Sequence, residues 1–349
     1  GHGGCHPPRG RGGDDARDPG RCMSPPQPVR ERPRRSVVRL LATQIELRML
    51  LLIVLVMGGL ALISPYFLTV SNLFNVMDQS VVIGMVALGQ TLVILIGGID
   101  LSVGSLAGMT GIVFGLSFPA FGLSGGIALA LGAGAAAGLV NGAIITLGRV
   151  APFVVTLGMM SVGRSMAYVL SGANSINNLP AGLGDISTDT LGGIPVDFVC
   201  LLVAYALCWW FLTYAKGGRT LYAIGSNIEA ARVAGLGITL WSILAYVASG
   251  VMSAVAAVFL ASRILSIDPI GWLGLELDAI AAVVIGGASL FGGRGSIIGT
   301  LAGVFIMVFI RNGLNLLNVS PYWQGTAIGS IIIAAVLVER LLSGARGSA

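Results

Sequence analysis

Between residues 49 and 342 the chain is one apolar stretch after another, most of them close to the ~20 residues that a helix needs to cross a bilayer. In lipid every backbone N–H and C=O must be bonded within the protein, so stretches of this length have to be helices packed against one another. Ten are legible: 49–68, 73–97, 101–117, 124–147, 152–171, 196–215, 238–262, 279–291, 295–311 and 325–342, the eighth too short for a straight crossing. Only 10% of the residues are charged and 55% are hydrophobic, a balance that excludes an ordinary soluble domain. The expected fold is all-α, a polytopic transmembrane helix bundle of about ten spans.

Charge is distributed very unevenly. After residue 48 there are ten basic and ten acidic side chains, so the net charge of +5 belongs to the first 48 residues, which hold ten Arg. Basicity is therefore a property of the tail, not a nucleic-acid footprint. Residues 1–44 are rich in Pro, Gly and Arg without apolar periodicity, which predicts a disordered tail. Met23-Ser24-Pro25-Pro26 reads as the native start, with residues 1–22 an upstream extension. The domain that follows, 45–345, is the membrane part.

The block Arg30 to Arg35, with Arg39 and Arg48, should hold the amino terminus on the cytoplasmic side. With ten spans, Arg149, then Lys216, Arg219 and Arg232, then Arg294, and finally Arg340 and Arg346 fall on that side too, and both termini are cytoplasmic. Arg263 and Arg311 go against the rule, and Arg164 sits inside a span. No small-residue cleavage site follows the first apolar run, so no signal peptide is expected. Cys5 and Cys22 lie in the tail and Cys200 and Cys208 in one apolar run, a set that predicts no disulfide, metal site or cofactor.

Glycine is placed rather than scattered. Gly134, Gly138 and Gly142 repeat at four-residue spacing, as do Gly295, Gly299 and Gly303, which lets helix backbones approach closely and should put these two spans at the centre of the bundle. The segment with Gly97, Gly98 and Gly104 echoes the one with Gly286 and Gly287, and each is followed by an Asn-Gly pair, Asn141-Gly142 and Asn312-Gly313. The echo predicts a weak internal repeat whose Gly-rich breaks interrupt helices in the membrane.

One polar interval stands out. Residues 216–237 carry Arg219, Asn227, Glu229, Ala230, Ala231, Arg232 and Gly235 between two apolar runs, the pattern of a short charged helix ended by glycine. No Walker-type loop occurs and Lys216 is the only lysine, so the chain has no usual cradle for nucleotide phosphates.

Four motifs in order, Gly97-Gly98-Ile99-Asp100-Leu101-Ser102-Val103-Gly104-Ser105, Tyr222 to Asn227 leading into Glu229-Ala230-Ala231, Glu276 to Gly287, and Asn312-Gly313-Leu314-Asn315, resemble the permease subunits of ribose-type ATP-binding-cassette sugar importers. The resemblance covers roughly residues 45–342. It implies a bacterial inner-membrane permease, not an enzyme, with four kinds of partner: a cytoplasmic ATPase, a periplasmic sugar-binding protein, a second permease copy (identical or a paralogue) and membrane lipid. It also implies that 216–237 couples the permease to that ATPase. The apolar-proline ending found in one importer class is absent here.

Against that background Asp100 has three readings: an acceptor for sugar hydroxyls, a partner for Arg164, or a cap for the helix that starts near Ser102. Asn75, Gln79 and Gln90 share one helix face, and with Asn141, Asn312 and Asn315 they are the expected sparse polar lining of a translocation pathway or, equally, interhelical hydrogen bonds. Glu276 and Asp278 suit the start of a helix, and Tyr66, Trp272, Tyr322 and Trp323 read as an interfacial aromatic belt. The alternative is an ion-coupled secondary transporter, for which Asp100 is the one supporting residue. A membrane enzyme would need a convergent set of His, Asp, Ser or Lys, and the sequence shows none.

Overall fold

The computed structural model describes residues 45–320, 323–330 and 333, apart from residue 178. The tail 1–44, Tyr322 and the later part of the tenth expected span lie outside the described residues. In chain order the elements are α1 (Ile45–Ile63), α2 (Val70–Leu95), α3 (Val103–Leu147), α4 (Pro152–Ser171), α5 (Ala181–Thr188), β1 (Thr190–Leu191), β2 (Ile194–Pro195), α6 (Val196–Tyr214), α7 (Lys216–Ser226), α8 (Ile228–Val233), α9 (Ile238–Ile264), α10 (Leu275–Ile285) and α11 (Ile297–Leu316). The strands form a small antiparallel hairpin whose turn, Gly192-Gly193, needs positive φ at both residues, 63° and 85°.

An all-α membrane bundle is what the chain builds, but the expected count of ten does not stand. Among the described residues six helices, α2, α3, α4, α6, α9 and α11, are long and apolar enough to cross a membrane. The apolar part of α1, Met49–Ile63, is shorter than that. The stretch at 279–291 yields α10, only 11 residues or ~16 Å long. The stretches at 101–117 and 124–147 share the single 45-residue element α3, which bends at Gly122 (φ 69°) three residues after Pro119. There the chain turns back on itself, because a methyl on Gly126 would lie 3.1 Å from the Phe114 ring.

The internal repeat is not found either. The first glycine segment follows a helix of 26 residues, the second one of only 11. Nor do these glycines break helices. Gly97 (φ 80°) and Gly98 lie in the connection from α2 to α3, and Gly286 and Gly287 (φ 89°) just past the end of α10.

Burial makes α2 the central pillar, since every residue from Ile83 to Leu95 is buried. Of the best 18-residue window, 83% is buried in α2, 61% in α11 and 33% in α3, so the second half of α3 is not the bundle's centre as expected. Its glycines still do close work. Methyls on Gly134 and Gly138 would strike the carbonyls of Gly250 and Tyr246, and one on Gly142 would lie 2.8 Å from Ile243 Cα, so this flank of α3 lies directly on the backbone of α9. Gly299 and Gly303 sit in the same way on the carbonyls of Gly286 and Ala282, and Gly295 on Ala288 and Leu95.

Two ends of the bundle follow from these contacts. At one, Leu95 at the end of α2 meets α7 and the connection after α10, with Gly293 donating to the Leu95 carbonyl (2.9 Å). At the other, Ile176 pairs with Ile267 between α4 and α9, and Gly115 of α3 packs on both.

Candidate functional site

The interval 216–237 forms two short helices joined at a single extended residue. The first, α7, is tightly seated: Gly217 faces the Trp241 ring, Gly218 the backbone of Phe211 and Leu212, and Gly225 the Leu95 carbonyl and the Gly293 amide, and no Cβ fits at any of the three. At the turn, extended Asn227 (φ −162°) caps α8 by accepting from Ala230 N at 3.0 Å. Ala231 is buried beneath α8, while Glu229 and Arg232 pair at 2.7 Å on its outer face with 70% and 62% of their side chains exposed. Ala230 and Arg219 are exposed as well, and Val233 is 91% exposed.

The helix ends in a Schellman motif. Leu236 N donates to Ala231 O (3.1 Å) and Gly235 N to Arg232 O (3.0 Å), with Gly235 at φ 71°, where a side chain would be strained. The result is a rigid knob with a charged rim and an apolar tip, held at the α2 end of the bundle.

Asp100 is wholly buried and bonded at both oxygens. Oδ1 accepts from Ser102 N (3.0 Å) and Ser102 Oγ (2.6 Å), and Oδ2 accepts from Ser249 Oγ of α9 (2.8 Å). Gln90 clasps the Asp100 backbone, its amide nitrogen 3.1 Å from the carbonyl and its oxygen 3.2 Å from the N–H. Asn141 donates to Ser102 Oγ (3.0 Å), and Thr156 of α4 donates to Ile99 O (3.1 Å). Four helices, α2, α3, α4 and α9, are thereby tied to one seven-residue connection. The geometry is that of a cap and a polar knot, and Arg164 is not part of it.

A second tie lies at the opposite end. Asn72 and Asn312 exchange amide hydrogen bonds at 2.9 and 2.7 Å, and Asn72 also donates to Phe67 O (2.8 Å). Asn75 is exposed and Gln79 half-buried, whereas exposed Asn315 accepts from Gln324 (2.7 Å). Sequence reasoning missed Asn72, although it stands seven residues before Gln79, two helical turns along the same face. It also missed Ser249 and Thr156, whose neighbours in sequence carry no polar signal.

The basic residues that break the positive-inside pattern acquire partners. Arg263 reaches Asp78 at 3.6 Å and Arg311 pairs with Asp278, which is why acidic Asp278 is buried early in α10. Of the expected aromatic belt, Tyr66 and Trp323 are each 68% exposed, but Trp272 is buried, wedged on Gly108 of α3, and so is not a belt residue.

The fold is a bundle of membrane-crossing helices with an exposed helical knob between two of them. The chain matches, over residues 72–337, the family described as "Branched-chain amino acid transport system / permease component", and it belongs to that family. It is similar to the ribose import permease protein RbsC of Escherichia coli K12, 38% identical over 84% of this chain and 93% of the relative. It is also similar to RbsC of Bacillus subtilis 168 (40%, over 80% and 88%) and to the D-allose transport system permease protein AlsC of E. coli K12 (34%, over 84% and 90%). No solved structure matches the chain significantly. The chain is thus a multi-pass membrane permease, a part of a transport system.

Proposed function

We propose that this chain is the membrane permease of an ATP-driven monosaccharide importer in a bacterial inner membrane, with both termini and α7–α8 in the cytoplasm. It works there with a second permease copy, a cytoplasmic ATPase and a periplasmic binding protein. The observation that carries the proposal is the α7–α8 knob: a helix so firmly seated transmits a push, and Glu229, Arg232 and Val233 offer a socket both charge and apolar surface. Relatives whose names specify ribose and D-allose import favour a small sugar. Asn75, Gln79 and Asn315, at the end remote from α8, are proposed to meet the substrate's hydroxyls. Gln90, Asp100, Ser102, Asn141 and Asn312 hold the helices around the path.

The test is a permease with Glu229→Leu and Gly235→Leu together, reconstituted with its copurifying ATPase and loaded binding protein. ATP-driven uptake is expected to vanish while the permease remains in the membrane at its normal amount. Normal uptake by that variant would remove α8 from the coupling role.

A further inference from the structure

The stretch between α9 and α10 turns part of itself inward: Ile267, Pro269 and Trp272 are buried, while Asp268, Ile270, Gly271 and Leu273 are exposed. Residues 267–276 lie along the glycine face of α3: Ile267 meets Gly115 and Gly111, the Trp272 ring meets Gly108 (3.1 Å), and the Trp272 carbonyl and Glu276 Oε2 stand 2.9 and 2.5 Å from where a Cβ on Gly104 would be. From Gly115 to Gly104 is eleven residues of helix, ~16 Å, so non-helical backbone descends deep beside a membrane-crossing helix before α10 begins. Such backbone is tolerated at membrane depth only when it is enclosed by protein or lines a watery cavity.

A cavity is there. Ser105, Arg164, Tyr168, Pro269, Ile270, Trp272 and Leu273 enclose about 270 Å³ of unfilled space, counting its open mouth. Most of this is the open mouth, and the enclosed part has room for a water or two. Arg164 stands ~18 Å from the start of α4 and ~10 Å from its end. Unlike Arg263 and Arg311, it has no ion-pair partner among the described residues, and neither has Glu276 on the far side of Gly104-Ser105. An unpaired charge at this depth is expensive and marks a site.

We propose that Arg164, Tyr168, Ser105 and Trp272 form a transit site for a monosaccharide, narrow in this conformation, with Pro269, Ile270 and Leu273 as its remaining wall. The proposal rests on the sugar-importer reading above. Its chemistry suits a polyol: the Arg164 guanidinium only donates, the Tyr168 and Ser105 hydroxyls donate or accept, and the rings meet the sugar's C–H faces. Gly104 has to be glycine because Glu276 and the Trp272 carbonyl occupy the space of its side chain.

The experiment reconstitutes the complete transporter in vesicles and measures uptake of labelled D-ribose and D-allose together with ATP hydrolysis. Arg164→Gln is expected to lower sugar moved per ATP by about tenfold, the worth of one hydrogen bond to a charged group. Tyr168→Phe, which preserves shape, is expected to change the ratio of the two sugars. Sugar per ATP within about twofold of wild type in both variants, well under the tenfold step expected for a charged hydrogen bond, would overturn the proposal. So would a joint fall in uptake and hydrolysis with loss of the assembled complex, which would place Arg164 between permease copies. A wild-type chain that drives no sugar uptake would instead refute the importer reading itself.

Discussion

Two carboxylates, Asp100 and Glu229, begin as the same kind of charge in a chain that has few, and the fold puts them to opposite uses. Asp100 is fully buried and both its oxygens are spoken for, by Ser102 and Ser249. Glu229 is 70% exposed and bonded only to Arg232, one turn away on the same short helix. A buried carboxylate with three donors around it is a structural joint, since removing it strands those donors away from water. An exposed ion pair adds little to stability and remains available to a partner. The contrast separates a frame, the α2–α3–α4–α9 knot, from a handle, α8.

The largest effect on folding is expected at the joint. Asp100→Leu leaves three buried donors without an acceptor, at about 1–3 kcal/mol each, and little folded permease should be recovered on size-exclusion chromatography. Asp100→Asn keeps an accepting oxygen and should be recovered in clearly greater amount. Equal loss in both would make negative charge, not capping, the requirement and would dissolve the contrast with Glu229.

Next comes Gly138→Leu, which drives a side chain into the Tyr246 carbonyl and Val247 at the α3–α9 crossing. Overpacking of this kind destabilises by about 1–3 kcal/mol, seen as a lower thermal midpoint in detergent. An unchanged midpoint would mean that α3 and α9 separate more easily than their contact suggests.

A double-mutant cycle on Asn72→Ala and Asn312→Ala should give a smaller coupling, about 0.6 and at most about 1.7 kcal/mol, as for other hydrogen bonds between helices in membranes. A coupling near zero would take this pair out of the frame.

Smallest of all is Glu229→Ala. It should shift the thermal midpoint by less than about 0.5 kcal/mol of stability, and the same variant should weaken copurification of the ATPase. A large stability loss at this position would make α8 part of the frame.

How much of this was legible follows from the range of each signal. That 216–237 holds a short charged helix stopped by glycine was readable, because termination at Gly235 is local; the Asn227 cap and the Glu229–Arg232 pair, equally local, were not read. The count of crossings was not legible. Apolar length does not show that α10 stops at Ile285, inside the apolar stretch 279–291, and it does not reveal that two stretches share α3 around Gly122. The echo between glycine segments misled for a related reason. Glycine is required at Gly97 and Gly287 by positive φ and at Gly138 and Gly303 by backbone crowding, so similar strings serve different ends.

By itself, then, the sequence determined that the chain lives in lipid as helices, that its net charge lies in the tail, and which permeases it resembles, since hydropathy, charge and local motifs are properties of neighbouring residues. Only the tertiary structure decided that Asp100 is a joint held by Ser249, that Arg263 and Arg311 find acids while Arg164 is left facing a recess, and that α2 is the pillar. Those outcomes depend on contacts between residues tens to hundreds of positions apart, and no local periodicity records them.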